Sequence, residues 1–413
     1  MRKGSVVANS RQITVLALLW VLLGPQAGAQ AATAVIHFEL GTIPTDMPPE
    51  AELYLAGNFN NWDPADSKAR FLSDHEGYHL TLSFPEYPVY LEFKVTRGNW
   101  DTVEKNADGS ERDNRIYTLA SSRDTLQIVV AGWSEQADDT AVSTASGNIV
   151  LLTGFEMPQL QRNGTIRIYL PANYHSCACR FPVMYMHDGQ NLFDDSTAFA
   201  GEWGVDEILE SPQQKGRLKG LIVVGIDNGA ELRVSEYAPW DFNYDDETVH
   251  GRGDDYLNFI VQTLKPFIDQ NYRTLPDRNH TALAGSSLGG LISLYGGLRH
   301  QEVFSRVAAL SPSVTERFVG SNLEEFIAKQ GRQYPLRVYL DMGDREGGAY
   351  DAVAAVQAVQ RTVQLMQAAG FGADELRLEI IPGGRHNESS WQAQMEDILI
   401  WLWEDQVGPV QSE

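Results

Sequence analysis

The chain has 413 residues, of which 43% are hydrophobic and 21% are charged, and this length is enough for two domains. The formal net charge is −23, and no stripe of basic residues runs through the sequence. We therefore exclude nucleic acid and anionic lipid surfaces as partners, because binding to either needs a concentration of positive charge.

The N-terminus has the pattern of a secretory signal peptide over residues 1–29. Three basic residues flank the start of an apolar run at 13–23, and these are Arg2, Lys3 and Arg11. Ala27 and Ala29 supply small residues at the −3 and −1 positions of a cleavage site, and Ala31 offers a second site. The apolar run is too short for a comfortable membrane span, and no cysteine directly follows it to carry a lipid. We therefore predict an exported protein, periplasmic or secreted, without a membrane anchor.

Residues 32–132 have the pattern of a small all-β sandwich. Short runs with β-type alternation are separated by turn residues, and no helical pattern of useful length lies among them. These runs are 35–40, 51–56, 78–84, 89–95, 116–119 and 125–130. The stretch that follows, 133–147, is small, polar and without hydrophobic periodicity, and we predict a linker there.

Residues 148–405 alternate between strand and helix patterns. The eight strand candidates are 149–155, 165–170, 182–187, 220–226, 281–285, 305–310, 336–341 and 376–381. The helix candidates lie near 203–210, 254–270, 288–299, 350–369 and 390–403. Such alternation is typical of a mostly parallel, twisted sheet with helices on both faces. The predicted fold class is therefore α/β with an eight-stranded sheet, preceded by the small all-β sandwich.

The fifth of these strand candidates ends in the pattern Gly-x-Ser-x-Gly at 285–289. An apolar run leads into it, and a helix-compatible stretch follows at 288–298. This is the strand–turn–helix context of a nucleophile elbow, in which small residues flank a tight turn and the serine hydroxyl projects from the sheet edge. We predict that Ser287 is a nucleophile and that the Leu288 N–H points toward an oxyanion. A glycine-rich turn without a catalytic role is the alternative interpretation.

A serine nucleophile needs a base, and the base needs a carboxylate that holds its tautomer. After an elbow of this type the acid comes next along the chain and the histidine last. His386 follows the last strand candidate and is the predicted base. Asp341, Asp344 and Glu346 cluster at the end of the preceding strand. Asp341 falls inside the strand pattern, where a local cap or pair is expected. Glu346 lies three residues past Gly343, which leaves room for the loop to turn back toward the histidine, so Glu346 is our first choice for the acid and Asp344 the second.

Several stretches of the C-terminal part carry a family pattern, among them Met-Tyr-Met-His-Asp-Gly-Gln-Asn at 184–191 and Gly-Arg-His-Asn-Glu at 384–388. With them, residues 148–404 resemble the putative-esterase branch of the α/β-hydrolase superfamily. That branch includes esterase D-type, enterochelin-type siderophore, feruloyl and acetyl-xylan esterases and the mycolyltransferases. In such enzymes the acid lies three residues past a glycine after the penultimate strand, which implies Glu346.

The same resemblance gives a role to the loop at 187–193, after the third strand candidate. In α/β-hydrolases this loop supplies the second N–H of the oxyanion hole, which by position is that of Gln190 or its neighbour Gly189, beside Leu288. His187 and Asp188 have no accompanying cluster at metal-ligand spacing, so we predict no metal site and no cofactor. We expect these two side chains to hold the loop by hydrogen bonds.

The N-terminal part has a resemblance of its own, carried by Leu-Ala-Gly-Asn-Phe-Asn-Asn-Trp-Asp-Pro at 55–64 and Gly-Asn-Trp-Asp-Thr-Val-Glu at 98–104. It resembles the starch- and glycogen-binding modules of the immunoglobulin-like sandwich type. In those modules two tryptophans and a lysine form a flat sugar platform, and Trp62, Lys94 and Trp100 match these positions. The resemblance implies α-glucan binding, and an inert spacer with Trp62 in its core is the alternative.

Two further expectations concern the surroundings of the predicted site. Loops over an α/β active site decide which substrate shapes fit. Residues 194–253 form such a region, and within it we expect Arg233 and Glu236 to form a structural ion pair. Cys177 and Cys179 are separated by one residue, and a bridge between them would be strained. Free or buried thiols are therefore the preferred prediction.

Together these features predict an exported serine ester hydrolase that acts through an acyl-enzyme on a carbohydrate-linked or siderophore-type ester. Acyl transfer to a sugar acceptor and a catalytically silent glycan-binding protein are the alternatives. Every candidate catalytic group lies after Gly147, so we expect hydrolysis of a small ester to be independent of the sandwich.

Overall fold

The computed structural model of the protein describes residues 34–403, apart from 45–50, 61, 76, 86–88, 108–111, 113, 120, 134–142, 199–200, 215–219, 245–246 and 347–348. The predicted signal peptide, 1–29, lies outside the described residues. Within these residues, no helix is both long enough and apolar enough to cross a membrane.

The N-terminal part is a β-sandwich, as predicted. Its strands are β1 Ala34–Thr42, β2 Tyr54–Gly57, β3 Leu72–Asp74, β4 Gly77–Phe84, β5 Val89–Thr96, β6 Glu104–Lys105, β7 Arg115–Leu119, β8 Arg123–Val129 and β9 Gly132–Trp133. One sheet has the order β3-β4-β1-β8 and the facing sheet the order β2-β5-β7, while β6 and β9 form a short ribbon. Each of the six predicted runs overlaps a strand, although the run at 51–56 does so only from Tyr54, and the short β3, β6 and β9 were not predicted.

The sandwich core forms between the two sheets because apolar residues alternate along the strands. Phe38 of β1 and Phe93 of β5 meet edge to face, with ring centroids 5.8 Å apart. The predicted linker begins at Trp133, but this side chain is buried and pairs through β9 with Glu104, so the sandwich includes it. At the other end of the linker, the Ser146 N–H donates to a carboxylate oxygen of Asp206 at 2.6 Å.

The C-terminal part is built on one eight-stranded sheet. Its strands are β10 Asn148–Met157, β11 Arg162–Leu170, β12 Val183–His187, β13 Ile222–Ile226, β16 Thr281–Ser286, β17 Arg306–Leu310, β18 Arg337–Gly343 and β19 Leu376–Ile381, and a separate hairpin consists of β14 Phe242–Tyr244 and β15 Glu247–Val249. The helices are α1 Val205–Gln214, α2 Arg233–Tyr237, α3 Gly253–Phe259, α4 Lys265–Asn271, α5 Leu288–Arg299, α6 Glu316–Val319, α7 Asn322–Gln330, α8 Ala349–Ala368 and α9 Glu388–Trp403. A π-helical turn, Ile260–Leu264, joins α3 to α4.

The strand order is β10-β11-β13-β12-β16-β17-β18-β19. The first two pairings are antiparallel and the other five are parallel, so the mostly parallel sheet and all eight predicted strands are confirmed. The central strands are buried along their whole length, as expected when helices cover both faces. The parallel strands end at one edge, so the loops after β12, β16, β18 and β19 converge there. The short helices α2, α6 and α7 were not predicted.

Candidate active site

Ser287 lies at the turn between β16 and α5 with φ 57° and ψ −125°. A positive φ is costly for a residue with a side chain, and it persists only where the surroundings enforce it. Here the Ser287 N–H donates to the Leu310 carbonyl at 3.0 Å, and the Ser287 carbonyl accepts from the N–H groups of Leu291 and Ser313, both at 3.0 Å. A Cβ on Gly285 would lie 2.9 Å from the carbonyl carbon of Gly289, so the turn excludes larger residues there.

His386 lies in the loop between β19 and α9, facing this serine. Its Nε2 is 2.8 Å from the Ser287 Oγ, and its Nδ1 is 2.9 Å from Oε2 of Glu346. The ring packs edge-on against Trp391, with centroids 5.1 Å apart. The His386 side chain as a whole is 37% exposed, so the row lies at the protein surface on this side. Ser287, His386 and Glu346 thus form one row of hydrogen bonds, although the serine and the histidine are 99 positions apart in the chain.

Glu346 completes the row and is almost fully buried, with 7% of its side chain exposed. Its Oε1 accepts from the Gly343 N–H at 2.9 Å and from the Ser311 hydroxyl. That hydroxyl in turn accepts from the indole N–H of Trp391 at 2.9 Å. One oxygen of the carboxylate is therefore held by the scaffold, which leaves the other aimed at His386.

The pKa values of this pair move apart. Burial alone favours the neutral carboxyl of Glu346, but the charge of His386 and the hydrogen bonds from His386, Ser311 and Gly343 outweigh it and lower its pKa. Burial also favours the neutral imidazole of His386, but the Glu346 carboxylate outweighs it and raises the His386 pKa above its ordinary value. An anionic acid next to a histidine of raised basicity is the arrangement that a general base needs.

The two other acid candidates lie outside this row. Asp344 is exposed, and its carboxylate accepts from the Gly383 N–H at 2.7 Å, which joins the loops after β18 and β19. Asp341 lies inside β18 and accepts from the Ser311 N–H at 2.7 Å. Burial raises the pKa of Asp341 to about 7. The structure therefore brings Ser287 and His386 together with Glu346, the first-choice acid.

The loop after β12 lies directly against the serine turn. It begins with a 3₁₀ turn, Gly189–Asn191, and β12 pairs with the strand that leads to Ser287. A Cβ on Gly289 would lie 3.4 Å from both the Asp188 carboxylate and the His187 side chain. The segment that contains Gly189 and Gln190 therefore begins in contact with the turn that carries Ser287 and Leu288.

Hydrogen bonds hold this loop in place, as expected. His187 Nδ1 lies 2.8 Å from the Tyr256 hydroxyl, and burial lowers the His187 pKa to about 4, so the ring is neutral at physiological pH. Asp188 adopts a left-handed conformation with φ 55° and forms a two-pronged ion pair with Arg233 at 2.7 and 2.8 Å. The amide of Asn228 also donates to Asp188 at 2.7 Å.

Two expectations about the surroundings are wrong. Arg233 does not pair with Glu236; it pairs with Asp188, and Glu236 accepts both of its bonds from Arg162 at 2.7 Å. Both acids lie far from their arginines in sequence, so the sequence contained no local sign of either pair. Cys177 and Cys179 form a disulfide across one residue instead of remaining free thiols.

The predicted sugar platform is partly assembled. The rings of Trp62 and Trp100 are both partly exposed and lie side by side, with centroids 6.2 Å apart and planes inclined by 39°. Lys94 is different, since it is only 3% exposed. It interacts electrostatically with Glu388 at the start of α9, next to the His386 loop. Lys94 therefore does not share the exposure of the two rings.

Sequence reasoning missed four residues around the site. Ser311 and Trp391 support Glu346, and negative charge on Glu92 and Glu388 adds to the upward shift of the His386 pKa. Ser311 follows directly after a predicted strand, a position that could have identified it. Glu92 lies in a strand of alternating character, in which a charged residue normally faces solvent, so nothing in the sequence indicated its burial.

The comparisons with known proteins identify the family of the chain. The family model described as "Putative esterase" matches residues 158–402. The protein YbbA of Bacillus subtilis is 28% identical over 253 residues, covering 58% of this chain and 93% of YbbA. The iron(III) salmochelin esterase of Escherichia coli is 23% identical over 345 residues, covering 79% of this chain and 75% of that enzyme. An α-amylase of Niallia circulans is 34% identical over 96 residues, covering 23% of this chain but only 7% of the amylase.

Solved structures extend the similarity to the fold. The enterobactin esterase FES of Shigella flexneri matches with a TM-score of 0.52 at 16% identity, covering 90% of this chain and 93% of that structure. The eight-stranded sheet is thus that of an α/β-hydrolase. Because the family model spans more than half of the sequence, the chain belongs to the putative esterase family, and the protein is a carboxylic ester hydrolase.

Proposed function

We propose that this protein is a serine esterase in which Ser287 is the nucleophile, His386 the general base and Glu346 the acid that orients it. The observation that carries this proposal is the row of two contacts, 2.8 Å from serine oxygen to imidazole and 2.9 Å from imidazole to carboxylate. The contacts of a working triad have the same lengths and the same order of groups.

In the proposed reaction the Ser287 Oγ attacks the ester carbonyl while Nε2 of His386 takes the hydroxyl proton. The tetrahedral oxyanion accepts from the Leu288 N–H and from the N–H of Gln190 or Gly189. Collapse breaks the bond to the alcohol, which leaves with the proton from His386, and an acyl-enzyme remains. Water then attacks the acyl carbon with His386 again as base, which releases the acid and restores Ser287. The chemistry uses no metal and no cofactor.

We propose a carbohydrate-linked or siderophore-type ester as the substrate. The salmochelin esterase supports the second class, because it is similar over three quarters of both chains. The short match to an α-amylase and the adjacent rings of Trp62 and Trp100 support a carbohydrate, because sugar rings stack on indole faces. An N-terminal signal peptide at 1–29 and export to the periplasm or medium belong to the same proposal. So does the division into a sandwich, predicted at 32–132 and extended by Trp133, a linker over the rest of 133–147 and a catalytic domain at 148–405.

The experiment that tests this function compares Ser287→Ala with Ser286→Ala. Ser287→Ala removes the attacking oxygen, so hydrolysis of p-nitrophenyl acetate and covalent labelling by a fluorophosphonate should both disappear while the thermal unfolding curve is retained. Ser286 is the last residue of β16 and takes no part in the row of contacts, so Ser286→Ala is the matched control and should keep both activities. A label on Ser286, or labelling that survives Ser287→Ala, would overturn the assignment.

The substrate class is tested separately with the wild-type chain. Acetylated and feruloylated oligosaccharides, short-chain p-nitrophenyl esters and a ferric catecholate lactone would be compared by kcat/KM. A preference of at least about tenfold for a sugar ester or the lactone over the simple ester supports the proposal, since substrate contacts beyond the reacting centre raise kcat/KM. Equal values for all of them would contradict it.

A further inference from the structure

Residues 228–237, which run from the end of β13 through α2, hold both neighbours of Gly189 in the loop after β12. Asn228 contacts each of them. Its side-chain NH₂ donates to Oδ1 of Asp188 at 2.7 Å, and its backbone N–H donates to Oε1 of Gln190 at 3.2 Å. Gly189 itself lies so close to β13 that a Cβ on it would be 2.7 Å from the backbone of that strand. One residue therefore bridges the segment that supplies the second oxyanion N–H in the proposed mechanism.

The Asn228 side chain is itself fixed in place. Its Oδ1 accepts from the Ala230 N–H at 2.9 Å, which is the pattern of an Asx turn. Both ends of the amide are therefore used, since the oxygen closes this turn and the NH₂ group reaches the Asp188 carboxylate. An aspartate at this position could close the turn but could not make the second contact, because a carboxylate has no donor.

Helix α2 holds Asp188 from a second direction. Arg233 donates to both of its carboxylate oxygens, at 2.7 and 2.8 Å. The hydroxyl of Tyr237, one helical turn later, accepts from the Asp188 N–H at 3.1 Å. Asp188 is only 8% exposed and has φ 55°, and a left-handed residue with a side chain persists only where its surroundings enforce it. Asn228 and α2 supply those surroundings.

Asp188 also lies against the turn that carries the nucleophile. A Cβ on Gly289 would be 3.4 Å from Oδ2 of Asp188. Among the described residues, the N–H groups of Gly189 and Gln190 have no acceptor, whereas the Gln190 carbonyl accepts from Thr197 Oγ1 at 2.8 Å. The loop is thus held through its side chains and a carbonyl, while these two N–H groups remain available to an oxyanion.

We propose that Asn228 is a positioning residue for the oxyanion hole and acts through Asp188 and Gln190. Arg233 has the same role, because it holds the same carboxylate. This inference rests on the proposed function, in which an N–H of this loop meets the oxyanion. Donors of an oxyanion hole are effective because they are fixed before the charge develops. A displaced loop therefore weakens binding of the transition state and leaves binding of the ground state nearly unchanged.

The test compares Asn228→Asp with the wild-type chain. The variant keeps the oxygen that closes the Asx turn, loses the donor to Asp188 and places a second negative charge beside that carboxylate. We expect kcat/KM on p-nitrophenyl acetate to fall at least about tenfold. Rates would be expressed per active site, counted from the final extent of fluorophosphonate labelling, and a thermal unfolding curve would show that the variant is folded.

Two inhibitors report on the oxyanion hole itself. A phenylethyl trifluoromethyl ketone adds to the serine and forms a tetrahedral oxyanion, so its inhibition constant should rise by the same factor by which kcat/KM falls. The matching methyl ketone has a similar shape but adds to serine poorly. Its inhibition constant should change less than about twofold, because it depends on ground-state contacts.

The matched control is Asn271→Asp, which makes the same replacement where the amide donates to one backbone carbonyl, that of Phe267, at 2.8 Å. Asn271 is exposed at the end of α4, and the chain just after it pairs with the residues ahead of β12, at the sheet edge opposite the site. This control should change none of the three constants. Arg233→Lys is a second variant, which keeps the charge but loses the two-pronged contact, and it should show the same parallel change in rate and trifluoromethyl ketone affinity.

Constants in Asn228→Asp and Arg233→Lys that match those of Asn271→Asp would overturn the inference. An equal rise in the inhibition constants of both ketones would also overturn it, because that result indicates altered ground-state binding. If Asn228→Asp does not fold, Arg233→Lys decides by the same criteria. Failure of the proposed function has a different signature, since the wild-type chain would then take no fluorophosphonate label.

Discussion

Replacement of Glu346 by glutamine tests the assignment of the acid most directly. Glutamine has nearly the same shape, so the packing below Ser311 and Gly343 is retained while the negative charge is lost. In the unsubstituted protein the Glu346 carboxylate accepts three hydrogen bonds, from Gly343, Ser311 and His386, and the last of these orients the imidazole. The substitution therefore removes the interaction that defines which nitrogen of His386 carries the proton.

The size of the effect follows from these contacts. A hydrogen bond to a charged group contributes about 1.5–3 kcal/mol, which corresponds to roughly 10- to 150-fold in rate. A second loss adds to it, because the amide NH₂ can donate to Nδ1 and leave the proton on Nε2, where it blocks the base. We therefore expect Glu346→Gln to lower kcat by at least about a hundredfold.

The assay is kcat and KM on p-nitrophenyl acetate, with Asp344→Asn as the matched control. Asp344 is exposed and accepts one bond from the Gly383 N–H, and asparagine keeps an acceptor oxygen for it. We expect this control to lose less than about threefold, since an exposed carboxylate contributes little. Equal losses in the two variants, or a larger loss at Asp344, would refute the assignment of Glu346.

Two more predictions follow from the same geometry. The Glu346 carboxylate outweighs burial and raises the pKa of His386 above its ordinary 6.5. The imidazole must be neutral to act as a base, so kcat/KM should decline as the pH falls through a midpoint above 6.5. A midpoint below 6.5 in the pH profile would contradict this prediction. Trp100→Ala in the full chain should abolish most of the retardation that the wild-type protein shows in a native gel containing soluble starch, because each stacked ring contributes on the order of 1 kcal/mol. Retardation of the variant equal to that of the wild type, or equal wild-type retardation in cellulose gels, would rule out an α-glucan platform.

The local pattern of the sequence was sufficient for the fold of both domains. All eight strands of the large sheet were predicted, because buried parallel strands are continuous apolar runs and helices carry a different period. The ends of elements and domains were predicted less accurately, as Trp133 shows. It lies in a two-residue strand, which is too short to show the alternation of buried and exposed residues. Short helices such as α2 and α6 were missed for the same reason.

The chain order of the site also came from the sequence. The turn at Ser287 needs small neighbours, and the positions of an acid and a histidine after later strands follow from the order of parallel strands. Position along the chain and the family resemblance ranked Glu346 before Asp344. The physical reason came from the structure, in which Ser311 and Gly343 hold the first carboxylate while the second lies at the surface.

What the sequence by itself determined is what depends on near neighbours: the strands, the serine turn and the types of groups that follow them. Only the tertiary structure decided which distant charges meet. Arg233 pairs with Asp188 and not with Glu236, three residues away, because the loop after β12 places a buried carboxylate within reach. Glu92 is likewise buried, although the alternation of its strand alone would leave it in solvent. Such pairings depend on how two surfaces pack against each other, and no local pattern of hydrophobic residues in the sequence encodes that packing.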